Sequence, residues 1–151
     1  MTNSNQSRLF CVVLLALFLT ATPSVAQDAN PCSSVYTTVK GLLDWLQPDS
    51  YDPAKAAACF KVEKGVSKQD LANRAVQLIE ILDGKGLYID ISTLPADLDY
   101  KDAQGLPRYQ LSITQPQIYL VRNGDQWQWS SETLTSIPRI HDELFVYDIN
   151  A

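Results

Sequence analysis

Histidine is almost missing from this sequence: its 151 residues include one, His141, together with three cysteines, one methionine and six glycines. One histidine and two downstream cysteines, Cys32 and Cys59, at unrelated spacing make a poor zinc site, so no metal is expected. The chain also has no Gly-x-Ser-x-Gly, no glycine-rich phosphate loop, no dinucleotide fingerprint and no metal-binding helix. It therefore does not read as a cofactor enzyme, and no cofactor is expected. Charge of one sign is never concentrated. No run of acids or bases exceeds two residues, and the net charge is −5. Nucleic-acid binders present a clustered basic face, and juxtamembrane anchors a polybasic one; neither is present. Long hydrophobic runs are lacking too. The apolar stretch at 9–20 has twelve residues, short of the roughly 20 that cross a bilayer as a helix.

What is present at the amino end is a leader. Residues 1–8 are polar and end in Arg8, residues 9–20 (LFCVVLLALFLT) are apolar, and 21–26 (ATPSVA) supply Pro23 and small residues at Ser24 and Ala26. A basic start, an apolar core and a small-x-small ending make a secretory signal, with cleavage expected after Ala26. Cys11 lacks the small neighbours of a lipid attachment site. Two divisions follow: 1–26, a signal peptide, and 27–151, one α+β domain of 125 residues, large enough for a core. Its net charge is −6, since Arg8 leaves with the leader. Export to the periplasm places Cys32 and Cys59 in an oxidising compartment, where an even number of cysteines is usually paired. A Cys32–Cys59 disulfide is expected; buried thiols and metal ligation are the alternatives.

Along the exported part, Ser33 and Ser34 are candidate caps of a helix carrying Val35, Val39, Leu42, Leu43 and Leu46 at helical spacing, stopped by Pro48. Asp52 and Pro53 open a short second helix at 53–60. Ser67 and Asp70 form a capping box before Leu71, Ala75, Leu78, Ile79 and Leu82, with Gly84 or Gly86 as the terminator. The period then becomes two: Leu87, Ile89 and Ile91 alternate with Tyr88 and Asp90, which predicts a strand. Residues 92–107 read as a long loop. Tyr109, Leu111 and Ile113 give a second strand, 118–122 a third, and Asn123–Gly124 a hairpin turn into a fourth carrying Trp127 and Trp129. Ser130 caps a last helix with Leu134, Ile137, Ile140 and Leu144, kinked or started late at Pro138. The expected fold is α+β: three N-terminal helices packed on a roughly four-stranded antiparallel sheet, with a C-terminal helix, cone-like in outline.

Three sets of residues are candidates for chemistry. His141, beside Asp142 and Glu143, could be a general base, but no nucleophile accompanies it; a surface histidine on the polar side of the last helix is the simpler reading. Asp97, Asp99 and Asp102 could ligate calcium, yet counting from Asp97 the sixth and twelfth positions hold Asp102 and Arg108 where a hand-type loop wants Gly and Glu. Tyr109, Tyr119, Trp127 and Trp129 could line an aromatic pocket; aromatics at period two on neighbouring strands are also the ordinary core face of a sheet. No catalytic residue is assigned, and the chain is expected not to be an enzyme.

Several segments together resemble the soluble N-terminal domain of bacterial mechanosensitive channels of the small-conductance type. They are 43–51 (LDWLQPDSY) with Pro53, Ala56 and Ala57; 82–91 (LDGKGLYIDI); Leu94 and Pro95 with Asp99, Tyr100 and Asp102; 118–120 (IYL); and 127–133 (WQWSSET) with Ile137 and Pro138. They run in the family's order over about 32–145. The resemblance implies an extracytoplasmic, non-catalytic module with an assembly, docking or sensing role. Its implied partners are channel subunits or a membrane portion encoded downstream, since this chain stops before the first membrane helix of that family and holds no pore residue. A free-standing periplasmic domain that binds a small ligand through the aromatic residues is the alternative.

Overall fold

The computed structural model of the protein describes residues 30–146. The leader at 1–26 lies outside the described residues. Among the described residues, four α-helices and a three-stranded antiparallel sheet make an α+β fold: α1 Val35–Asp44, α2 Pro53–Ala56, α3 Lys68–Gly84, a 3-10 turn Ile91–Thr93, β1 Arg108–Gln110, β2 Tyr119–Asn123, β3 Gln126–Trp129 and α4 Ser131–Val146. Among the described residues no helix is long and apolar enough to cross a membrane.

The helix starts follow from their caps. Ser34 accepts from the Thr37 amide and Thr37 Oγ1 from the Ser34 amide, a capping box in which threonine replaces the usual acid. Asp52 caps α2 through the Lys55 amide, with Pro53 at the first position. Ser67 and Asp70 cap α3 reciprocally, and Ser130 Oγ accepts from the Thr133 amide at the start of α4. Helix α4 runs through Pro138 without ending there, so the expected late start does not occur. Proline costs an interior helix bond, but Leu134, Ile137 and Ile140 are fully or almost fully buried on one face, and that packing holds the helix together.

The sheet has order β1-β2-β3, with Leu120 opposite Trp129 and Tyr109 opposite Leu120. Its inner face, with Ile118, Leu120, Trp127 and Trp129, meets Val35, Val39, Leu78, Ile81 and Leu134 in a single apolar core. The second edge of β3 is covered by the cysteine-bearing segments. Trp127 N donates to Cys32 O at 2.7 Å and Trp129 N to Cys59 O at 3.1 Å, and Phe60 bridges to Trp129. Cys32 and Cys59 are joined in a disulfide, their Cα atoms 5.6 Å apart. The bond therefore staples the start of α1 and the end of the α2 turn to the same strand edge.

Three expectations are corrected. The sheet has three strands, not four: 87–90 forms no ladder, because β3's edge is occupied by the cysteine segments and the alternating apolar residues there pack towards helices instead. The strand expected to reach Ile113 ends at Gln110. Beyond it, Ser112 Oγ accepts from the Thr114 amide and Gln110 Nε2 donates to Ser112 O, local bonds that compete with a ladder and leave Ile113 exposed. The helix expected over 53–60 stops at Ala56, since Cys59 and Phe60 are drawn onto β3.

Candidate functional site

The clearest concave feature is a groove between the end of α1, the end of α3 and the chain that follows. The way α3 ends builds one wall. Gly86 adopts φ 64°, in the left-handed region that glycine tolerates. Its amide donates to Asp83 O at 3.0 Å, and the Leu87 amide to Leu82 O at 2.8 Å. This pair of bonds is the Schellman arrangement, which ends a helix and sets an apolar contact across it; here Leu82 and Leu87 are the residues so placed. The opposite wall comes from Leu43 and Leu46, where α1 gives way to a turn held by Gln47 N to Asp44 O and Ser50 N to Gln47 O. Ile79, Ile89 and Ile91 line the remainder, in a volume of about 540 Å³, within the range of small-ligand sites.

The charged residues lining the groove are Asp44 and Asp83; no lysine or arginine lines it. Asp44 is paired with Lys40 along α1. Tyr88 lines the rim of the groove and is 93% exposed, while Leu87 and Ile89 on either side of it are partly buried.

The structure does not bring the four aromatic residues marked in the sequence to one surface. Trp127 and Trp129 are fully buried in the core. Trp127 Nε1 donates to Leu98 O at 3.0 Å. The Trp129 Nε1 has no acceptor among the described residues, and Phe60 stands edge-to-face to its ring at 6.2 Å. Tyr109 lies on the same inner face, in edge contact with Tyr100 at 5.8 Å; burial, and then Tyr100, raise its phenol above the ordinary value. Tyr119 points the opposite way, under the Arg108 guanidinium at 4.3 Å, and donates to Glu132 Oε2 at 3.0 Å.

His141 is not on a free polar face. Its Nε2 lies 2.6 Å from Glu80 Oε2 on α3, its ring 4.6 Å from that of Phe145, and its side chain is 18% exposed. It ties α3 to α4. Of the loop carboxylates, Asp97 Oδ1 accepts from the Asp99 amide, Asp99 pairs with Arg122, and Asp102 Oδ1 accepts from the Gln104 and Leu106 amides at 2.9 Å each. They organise the 92–107 loop rather than converge on one point, and among the described residues no group of three metal-binding side chains is placed to hold an ion.

Compared with known proteins, the chain matches no family model, no curated protein and no solved structure. The geometry therefore carries the functional argument. The groove has apolar walls and two carboxylates, a lining suited to holding an apolar or extended ligand. The sequence does not announce it, because its lining residues belong to three separate elements. The signal that could have found it is 82–91, where a helix terminator leads directly into apolar residues alternating with Tyr88 and Asp90.

Proposed function

We propose that this protein is an exported, non-catalytic docking module whose binding surface is the groove between α1, α3 and residues 87–91. The single observation that carries the reading is that groove: an open apolar surface on a frame stapled by Cys32–Cys59. The leader at 1–26 supports delivery to the periplasm, where such a bond persists. The likeness to the N-terminal domain of small-conductance mechanosensitive channels supports the same role, with channel subunits or a downstream membrane portion as partners. A second reading, a free-standing small-ligand binder with a cone-like pocket, keeps one supporting observation, the groove volume of about 540 Å³. Its ligand would sit against Leu43, Ile79 and Ile89 rather than against Trp127 and Trp129.

The reading is tested by expressing the whole chain in a bacterium and fractionating the cells. The expected product lies outside the cytoplasm, begins at Gln27, resists alkylation at Cys32 and Cys59, and passes no current in planar bilayers. A chain retained in the cytosol with its leader, or a current from the purified product, contradicts it.

A further inference from the structure

Residues 87–91 carry the sequence pattern of a strand without a strand's partner. Leu87, Ile89 and Ile91 are partly buried, and Tyr88 and Asp90 are exposed, the alternation of an extended chain with one face covered, which ends where Ile91 opens the 3-10 turn. Asp90 itself is extended, at φ −81° and ψ 99°. The backbone amides and carbonyls of Tyr88 and Ile89 have no hydrogen-bond partner among the described residues; the flanking bonds are those from the Leu87 amide back to α3 and from Thr93 to Asp90 O. An open edge of this kind, next to an apolar groove, is what peptide recognition by strand addition uses: main-chain bonds supply affinity and alternate side chains enter the groove.

Charge selects the occupant. The groove lining holds Asp83 and Asp44, the latter paired with Lys40, and no cation; Asp90, whose Oδ1 also accepts from the Ser92 amide and hydroxyl, adds a third carboxylate on the outward face, and Lys85 stands two residues before Leu87. The whole chain is acidic, at −5. A second copy pairing edge to edge would set these carboxylates against their own kind, which is unfavourable across strands, and an exposed charge such as Asp90 is a common guard against self-pairing. A cationic partner meets none of that repulsion.

We propose that residues 87–90 and the adjoining groove capture an extended peptide segment of a partner protein, one with alternating basic and apolar residues, by adding it as a β-strand. Apolar side chains of the peptide lie beside Ile89 and Leu87 in the groove, and its basic side chains lie opposite Tyr88 and Asp90. This rests on the docking role proposed above and names the chemistry of the partner.

The test uses the purified chain as the cell processes it, isotopically labelled, titrated at low salt with acetyl-Lys-Val-Lys-Val-Lys-amide and followed by amide NMR. Perturbation should centre on 87–91 and on Leu43 and Leu46. The same peptide with glutamate in place of lysine should bind at least ~10-fold more weakly. Of two N-methylated forms, one blocked at the valine nitrogens and one at the lysine nitrogens, one should lose at least ~10-fold and the other little, because only alternate amides face a paired edge. Asp90→Asn, which keeps an oxygen to accept from the Ser92 amide, should weaken the lysine peptide about threefold with an unchanged melting temperature. Absence of binding, equal binding by both charge forms, equal loss in both methylated forms, or perturbation elsewhere overturns the proposal. So does perturbation of the groove by phosphatidylcholine vesicles alone, or by raising the protein's own concentration, which would assign the groove to lipid or to a second copy. Export and the absence of current are read on other samples, so failure of strand addition is distinguishable from failure of the wider reading.

Discussion

At the scale of single residues, Thr133 shows how much one hydroxyl can organise. It is fully buried at the first turn of α4, and its Oγ1 accepts from the Tyr119 amide at 3.0 Å while lying 2.9 Å from Gln117 O and 2.8 Å from Ser130 Oγ. The end of the sheet and the start of the helix are thus joined through one atom. Thr133→Val keeps the shape but leaves the Tyr119 amide and a carbonyl unpaired, a loss of about 1–3 kcal/mol. Urea unfolding would show it as a lower midpoint with an unchanged slope, and Thr133→Ser should recover much of it. The capping carboxylates make a second residue-scale prediction. Bonds from Ser67, side chain first and then backbone, lower Asp70 below the ordinary carboxylate value, and the backbone bond from Lys55 does the same for Asp52. A carboxylate lowered by folding stabilises the native state above its unfolded value, and that contribution is lost as pH falls through the folded one. Stability should therefore fall on acidification from about pH 4 downward, and the fall should be shallower in Asp70→Asn. An acid titration monitored by circular dichroism checks this; an unchanged profile contradicts it.

At the scale of elements, what the sequence makes legible is whatever is decided locally. Ser34, Asp52, Ser67 and Ser130 mark the four helix starts, and each caps the helix it announces, because a cap needs only the next three residues. Asn123–Gly124 likewise marks the β2–β3 hairpin, with Gly124 at φ 64°. What fails is what depends on distant partners. Residues 87–91 alternate as a strand does, yet alternation reports one covered face, not the element that covers it; here helices cover it. Phe60 leaves its helix because Cys59 is bonded to Cys32, 27 positions away. The groove was out of reach for the same reason, as was the contact of His141 with Glu80, 61 positions earlier. Gly86 links the two levels. Its local signal is a helix terminator, and its structural effect is to aim Leu87 into the groove. Gly86→Ala places a Cβ at positive φ, which should cost about 1 kcal/mol or slightly more. Amide exchange at the end of α3 and at 87–91 should quicken, while α1 and the sheet stay protected. Uniformly quickened exchange would contradict the assigned local role.

Viewed whole, the molecule is a small frame held from one strand outward. Strand β3 pairs with β2 on one edge and receives Cys32, Cys59 and Phe60 on the other, so the disulfide closes the edge that would otherwise be open. The loop it spans has 27 positions of separation, for which chain-entropy arguments give roughly 3–4 kcal/mol. The Cys32→Ser, Cys59→Ser double variant should lose about that much, read as a drop in urea midpoint; a loss below about 1 kcal/mol would mean the covering segments hold to β3 without the bond. A frame stapled on that side leaves the far end of α3 as the open surface, the end proposed above to be occupied in use. The direct measurement is site-specific photocrosslinking in the cells that make the protein, with p-benzoylphenylalanine in place of Tyr88 or, separately, of Val62. Both positions are well exposed, at 93% and 76%, and α3 separates them by about 25 Å of helix. A discrete adduct is expected from position 88, abolished by Leu46→Asp, and none from position 62. Adducts of equal yield from both positions, or from neither, would contradict that occupancy.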